Sequence, residues 1–148
     1  MIRPGRPGDV AAIGALNTSY RLELAAAGRP EERPLDVWRR WLDRRISAGD
    51  VRVAAEDEAV VGYIAWELRR LEQGRALAVR DLYVRPGERG LRHGAGLLAR
   101  ALDRARSDGV LQIEVTAGLD DEAARALVAG SGFERIDGAL LRRIDDDA

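Results

Sequence analysis

The sequence predicts an α/β (α+β) fold, with one mixed sheet carrying helices on both faces. Three observations lead there. At 148 residues the chain suits a single domain, residues 1–148, long enough to bury a real core. Its apolar spacing switches between about 3.6 and 2 in separate segments, the periods of helix and strand. The resulting order is β-α-α-β-β-β-α-β-α-β, without internal repeat, linker or low-complexity tract.

Each element has its own warrant. Ile2-Arg3 begins a short strand that PGRPG stops. Asp9 then suits the N-cap of a helix whose Val10, Ile13, Leu16, Tyr20 and Leu24 share one face. Residues 25–34, AAAGRPEERP, read as an exposed loop. Leu35, Trp38, Leu42 and Ile46 form the stripe of a second helix ending near Gly49, with arginines on its wet face. Residues 51–56 alternate and turn through EDEA into VVGYIAWELRR, an antiparallel hairpin. Residues 76–86 form a strand dense enough in apolar groups to be central. Leu97, Leu98, Ala101, Leu102 and Ala105 mark a helix face, and VLQIEVTA a strand. DDEAARALVAGSGF reads as a helix and ALLRRI as the last strand.

Composition narrows the chemistry. The 24 basic residues, all arginine, against 25 acidic ones give a net charge of −1, which favours neither nucleic acid nor an anionic membrane. Without lysine there is no Schiff base and no Walker lysine. Without cysteine there is no disulfide, thiolate nucleophile or thiolate-bound metal, and one histidine makes no metal site. The first residues lack the apolar run of a signal peptide, so the expected location is cytoplasmic. Edge strands near the carboxyl terminus would suit a homodimer.

The informative stretch is VRPGERGLRHGAGLL, residues 84–98, where a strand runs through a glycine-rich loop into a helix. The first N–H groups of a helix have no partner within it, and the helix dipole adds positive charge, so this arrangement binds phosphate. Gly94 and Gly96 lie where the helix should start, with Arg89 and Arg92 nearby as further charge. His93 reads either as a solvated loop residue or as a cation beside a phosphate. Gly-Ala-Gly alone would also serve a regulatory domain binding a nucleotide.

Over almost its whole length the chain resembles the GNAT superfamily of N-acetyltransferases. IRPGRPGDVAAIGAL is similar to the family's opening strand and helix, VVGYIAW to its third strand, and DLYVRPGERG…GAGLL to its acetyl-CoA signature. GSGF matches the Gly-Phe that ends its fourth helix. The resemblance implies a mostly antiparallel sheet and acetyl-CoA as co-substrate. It places the pantetheine arm along Leu82, Tyr83 and Val84, and the pyrophosphate on the loop of Arg89, Gly90, Arg92, His93, Gly94, Ala95, Gly96 and Leu97. Three positions depart from the pattern. Leu91 to His93 stand where the family has one residue, Asp121 replaces its Asn, and Val128 occupies the place of the Tyr that many members use as general acid.

The implied reaction moves an acetyl group to a primary amine of a small molecule or peptide. Asp81 and Tyr83 alternate onto one strand face beside the proposed cofactor arm. Asp81 suits a base acting through water, or an arginine partner; Tyr83 suits an acid, a substrate contact or packing. Glu114 and Glu67 are further candidate bases. Trp38, Trp41 and Trp66 read as core or acceptor wall, and the acidity of EERPLD hints at a cationic amine. The alternative is a GNAT-like domain that binds its ligand without catalysis, for which Val128 and the lengthened loop at Leu91 to His93 are the motive.

Overall fold

The computed structural model describes residues 1–90, 92–115, 132, 134–136 and 139–144. A short strand, β1 (Ile2–Pro4), leads through a 3-10 turn (Pro7–Asp9) into helices α1 (Val10–Ala26) and α2 (Leu35–Ser47). Three strands follow, β2 (Val51–Glu56), β3 (Ala59–Leu71) and β4 (Gly74–Val84), then α3 (His93–Ser107) and β5 (Gln112–Val115). Strands β6 (Glu134–Ile136) and β7 (Ala139–Arg143) close the order. All described strands lie in one sheet, β1-β2-β3-β4-β5-β7-β6, in which β4 and β5 are parallel and every other neighbour antiparallel. The parallel pair needs a crossover, and α3 supplies it.

The helices divide between the faces, as the apolar pattern requires. On one face Leu97, Leu98, Ala101 and Ala105 of α3 pack on Ile64, Trp66, Leu77, Val79, Leu82, Ile113 and Val115. On the other, Val10, Ile13, Leu16, Tyr20 and Leu24 of α1 join Trp38, Leu42 and Ile46 of α2 over Val51, Val53, Tyr63, Ala65 and Tyr83. Each large apolar side chain buried this way contributes about 1.5–3 kcal/mol.

Three local expectations change. Leu35 lies on the predicted stripe yet is 57% exposed, because α2 contacts the sheet only from Trp38 onward. Asp9 stands at the N-cap of α1 but does not cap it. Its carboxylate accepts the N–H of Arg6 at 2.8 Å and grips the Arg3 guanidinium at 2.8 and 2.9 Å, which holds its pKa below the usual range. A strand at 134–136, absent from the predicted order, pairs with β7. The predicted helix over DDEAARALVAGSGF falls outside the described residues.

One irregularity positions the site. Ala65 pairs with Asp81 but Trp66 with Val79, so Arg80 is an extra residue in β4, a β-bulge. Val79 and Leu82 therefore both enter the α3-side core, while Asp81 and Tyr83 both face α1 and α2.

Candidate active site

Strand β5 accompanies β4 only from Ala76 to Val79, whereas β4 continues to Val84. Past Val79 the strands part, and among the described residues β4 keeps a strand only on its β3 side. The Arg85 N–H donates to Val61 of β3, so alternation turns the main-chain groups of Leu82 and Val84 toward the open side. A fork with an unpaired strand edge can take an extended, amide-bearing ligand as if it were a strand.

The loop beyond the fork turns through Gly90 (φ 86°) and Arg92 (φ 68°), both left-handed, into α3. Arg92 is the N-cap and makes no side-chain cap. The first helical bond runs from the Gly96 N–H to the Arg92 carbonyl at 3.0 Å, so the outward donors are those of residues 92–95. Gly96 and Leu97, expected among the phosphate-binding groups, have other neighbours. The end of the Ile2 side chain stands where a Cβ on Gly96 would lie, and Leu97 is fully buried in the core. His93 is no solvated loop residue. It opens α3 with 8% exposure, its Nε2 3.3 Å from Glu56 but without a well-aligned hydrogen bond.

Arg89 is engaged across the fork mouth. Its Nε donates to the Val84 carbonyl at 2.8 Å, and Nη2 reaches both oxygens of Glu23 on α1 at 2.9 and 3.0 Å. The guanidinium lies 5.3 Å from the Tyr83 ring centroid, and that ring stacks on Tyr20 at 5.2 Å. The Tyr83 hydroxyl is buried beside Glu23 and Ser19 without a well-aligned hydrogen bond. Burial first, and the Glu23 carboxylate next, push its pKa up to about 12.

Asp81 is the hub of the α1/α2 face, 1% exposed. Its Oδ1 accepts Arg33 Nη2 at 2.7 Å, and Oδ2 accepts Trp38 Nε1 at 2.8 Å and the Tyr63 hydroxyl at 3.0 Å. Burial, and then the Asp81 charge, drive the Tyr63 pKa well above its ordinary value, so the phenol stays a donor. Against the pull of burial, Glu31 and Asp81 raise the pKa of Arg33. Glu31 of the loop before α2 is thereby spent on that loop's own arginine, since it holds Arg33 at 2.9 Å through each oxygen.

Glu67 and Glu114 share a cross-strand row, for both pair with Ala78. Glu114 is held by the Arg69 guanidinium and by Gln112 at 3.1 Å. Glu67 accepts Trp41 Nε1 at 3.0 Å and Arg80 Nε at 2.7 Å. Burial opposes its ionisation, but these two donors outweigh it and lower the pKa. Trp38 and Trp66 are core, and Trp41 packs partly buried against the α1/α2 core, with the Arg33 guanidinium 5.0 Å from its ring centroid.

The structure thus gathers Asp81, Tyr83 and Glu114 around the fork, each already with a neighbour. Sequence reasoning missed Arg33, Arg21, Glu23 and Arg80. The signal for Arg80 was legible: with two adjacent charges, Arg80-Asp81, inside an apolar strand, regular alternation would turn one of them into the α3-side core, which a bulge avoids. The departures at Asp121 and Val128, and Leu91, lie outside the described residues. Among those described, no helix is long and apolar enough to cross a membrane.

Comparison with known proteins agrees with this architecture. Residues 15–133 match the family model described as acetyltransferase (GNAT) family. A mycothiol acetyltransferase of Sanguibacter keddieii is 31% identical over 99% of the chain and 48% of its own length. The L-amino acid N-acyltransferase MnaT of Escherichia coli is 32% identical over 73% of the chain and 64% of its own length. The chain thus spans about half to two-thirds of the length of these two relatives. The structure of yncA from Salmonella typhimurium with its cofactor acetyl-CoA superposes with a TM-score of 0.77, at 23% identity over 100% of this chain and 95% of that one. Acetyl-CoA is the co-substrate of this family. The chain belongs to the GNAT family of acetyltransferases.

Proposed function

We propose that the protein is an acetyl-CoA-dependent N-acetyltransferase acting on the primary amine of a small molecule or peptide. The observation that carries this is the fork: β4 outruns β5 after Val79, and α3 begins close beyond its tip with an uncapped first turn. Residues present fit the co-substrate. The edge of Leu82 to Val84 suits the pantetheine amides, and the N–H groups of residues 92–95 suit the pyrophosphate, with Gly90 shaping the turn. Arg89 fits only by exchange, since Val84's carbonyl and Glu23 now hold it.

Acetyl-CoA supplies the thioester. In the transfer an N–C bond forms and the C–S bond breaks; the ammonium gives one proton to a base before the attack, the nitrogen releases a second to solvent as the amide forms, and the leaving thiolate takes up a proton from solvent. Asp81 is the base on this reading, because its guanidinium partner comes from a loop residue, whereas Glu114 is held by Arg69 within the sheet. Tyr83 is not the proton donor on this reading. A hydroxyl with a pKa of about 12 is a poor acid toward a thiolate whose thiol titrates near about 8.5. Orientation within the fork supplies much of the rate, so the chemistry tolerates a weak acid step.

Calorimetry with acetyl-CoA and with CoA tests the binding half, and release of free thiol across an amine panel tests the transfer. Absence of heat from both ligands at millimolar concentration would overturn the proposal.

A further inference from the structure

Two charges on regular elements face one another across Arg33. Asp81 stands on β4 and Arg21 on α1, joined without help from any loop. Arg21 Nε donates to Asn17 Oδ1 at 2.7 Å, Asn17 Nδ2 lies 3.1 Å from the Tyr63 hydroxyl, and that hydroxyl donates to Asp81. The relay fixes a cation and an anion relative to each other.

Arg33 fills the space between them from residues 27–34, which form neither helix nor strand. Its two ends bond in opposite senses. The guanidinium donates to Asp81 at 2.7 Å, and its own main-chain carbonyl accepts Arg21 Nη1 at 2.7 Å. The plug therefore presents a positive group to the fixed carboxylate and an oxygen to the fixed guanidinium. Arg21 Nη2 is buried without a hydrogen-bond partner, an unusual cost for a charged donor that a bidentate carboxylate would remove. Arg21 also lies near Glu31, but Glu31 is bonded bidentately to Arg33 and belongs to the same loop. When that loop withdraws it takes a neutral pair with it, leaving Asp81 negative and Arg21 positive at the fork.

We infer that the acceptor is an amine that also carries a carboxylate, an amino acid in chemical class, and that Arg33 occupies its place. The acceptor's ammonium replaces the guanidinium on Asp81, and its carboxylate replaces the carbonyl on both Arg21 nitrogens. Trp38 and Tyr63 keep Asp81 in place through the exchange. This rests on the acetyltransferase reading and narrows its acceptor.

The test measures thiol release from acetyl-CoA with the standard amino acids, their amides, the matching decarboxylated amines and 6-aminohexanoate, which separates the two charges more widely. The wild-type protein should prefer a free acid over its amide by about tenfold or more in kcat/KM. Arg21→Gln should erase that preference, lowering kcat/KM about tenfold or more further for the acids than for the amides. Arg33→Gln should keep the preference and lower KM for the acids. Calorimetric binding of CoA to all three proteins separates the two proposals: if the wild type binds no CoA the acetyltransferase reading fails, whereas CoA binding without a preference for acids defeats only this inference. Equal use of acids and amides, loss of both in parallel in Arg21→Gln, or turnover of no acceptor by a CoA-binding wild type would each overturn it. A variant that binds no CoA is replaced by Arg21→Lys, which should retain part of the preference.

Discussion

The two faces of the sheet are built on different terms. The α3 face is apolar over its centre, with charge at its margin, where Arg104 of α3 meets buried Asp50 and the Arg52 guanidinium lies 5.2 Å from the Trp66 ring centroid. The packing of that centre would be satisfied by many side chains of similar volume. The α1/α2 face is apolar over β2 and the first part of β3 but charged over the later part of β3 and over β4 and β5, where Glu67, Asp81 and Glu114 each rest on an arginine. Ala76 and Ala78 lie buried there yet belong to neither apolar core. A fold seeking stability alone would place Leu or Val on that surface, since buried ion pairs seldom improve on apolar packing. One face therefore secures the sheet and carries the helix beyond the fork, and the other keeps charge available for chemistry.

The largest effect should come from breaking the charged face at its hub. Asp81→Ala leaves Arg33, Trp38 Nε1 and the Tyr63 hydroxyl without their shared acceptor, and should cost roughly 3–5 kcal/mol in denaturant unfolding. A loss below about 1 kcal/mol would mean that water replaces the carboxylate and that the hub is not structural. Leu98→Ala makes the matching break on the apolar face. A cavity there should cost about 2–5 kcal/mol yet leave the preference among acceptors untouched, which the thiol-release panel reads. If the panel shifted in Leu98→Ala, the division between the faces would not hold.

How far the sequence shows this division depends on the range of the interactions. Helices and strands were legible because side-chain period is local, and the buried residues of α1 are the five its spacing selects, with Asn17 added by its bond to Tyr63. The resemblance implied a cofactor arm along Leu82 to Val84, whereas the parting of β4 from β5 past Val79 was read only in the structure. The partners of Asp81 and Arg89 were not legible. Arg33 meets Asp81 across 48 positions and Arg89 meets Glu23 across 66, in a chain where arginine is too frequent for pairing to be read from composition. The Gly96 packing on Ile2 was equally hidden, since a glycine at a helix start looks the same whether it admits phosphate or a neighbouring side chain.

A smaller effect probes the boundary between the faces at Arg89. Glu23 presents to that arginine two oxygens, as a phosphate would, and Arg89 simultaneously covers the Val84 carbonyl at the fork edge. Glu23→Gln removes the competing charge, and CoA should bind about three- to tenfold more tightly by calorimetry. Weaker binding would instead assign Glu23 to holding Arg89 ready.

The smallest effect concerns pH. Glu67 titrates below the ordinary carboxylate range because Trp41 and Arg80 outweigh its burial. A carboxyl whose folded pKa is depressed adds stability above its unfolded value, near about 4.3, and loses it as pH falls through the folded value. Unfolding free energy should therefore decline with acid below about pH 4.3 more steeply in the wild type than in Glu67→Gln, by at most about 1 kcal/mol given its partial exposure. Comparing the two proteins cancels Asp9 and Glu31, which are depressed in the same direction. Parallel acid curves would mean that Arg80 gains nothing from ionised Glu67. The bulge would then owe its charged residue to the fork alone.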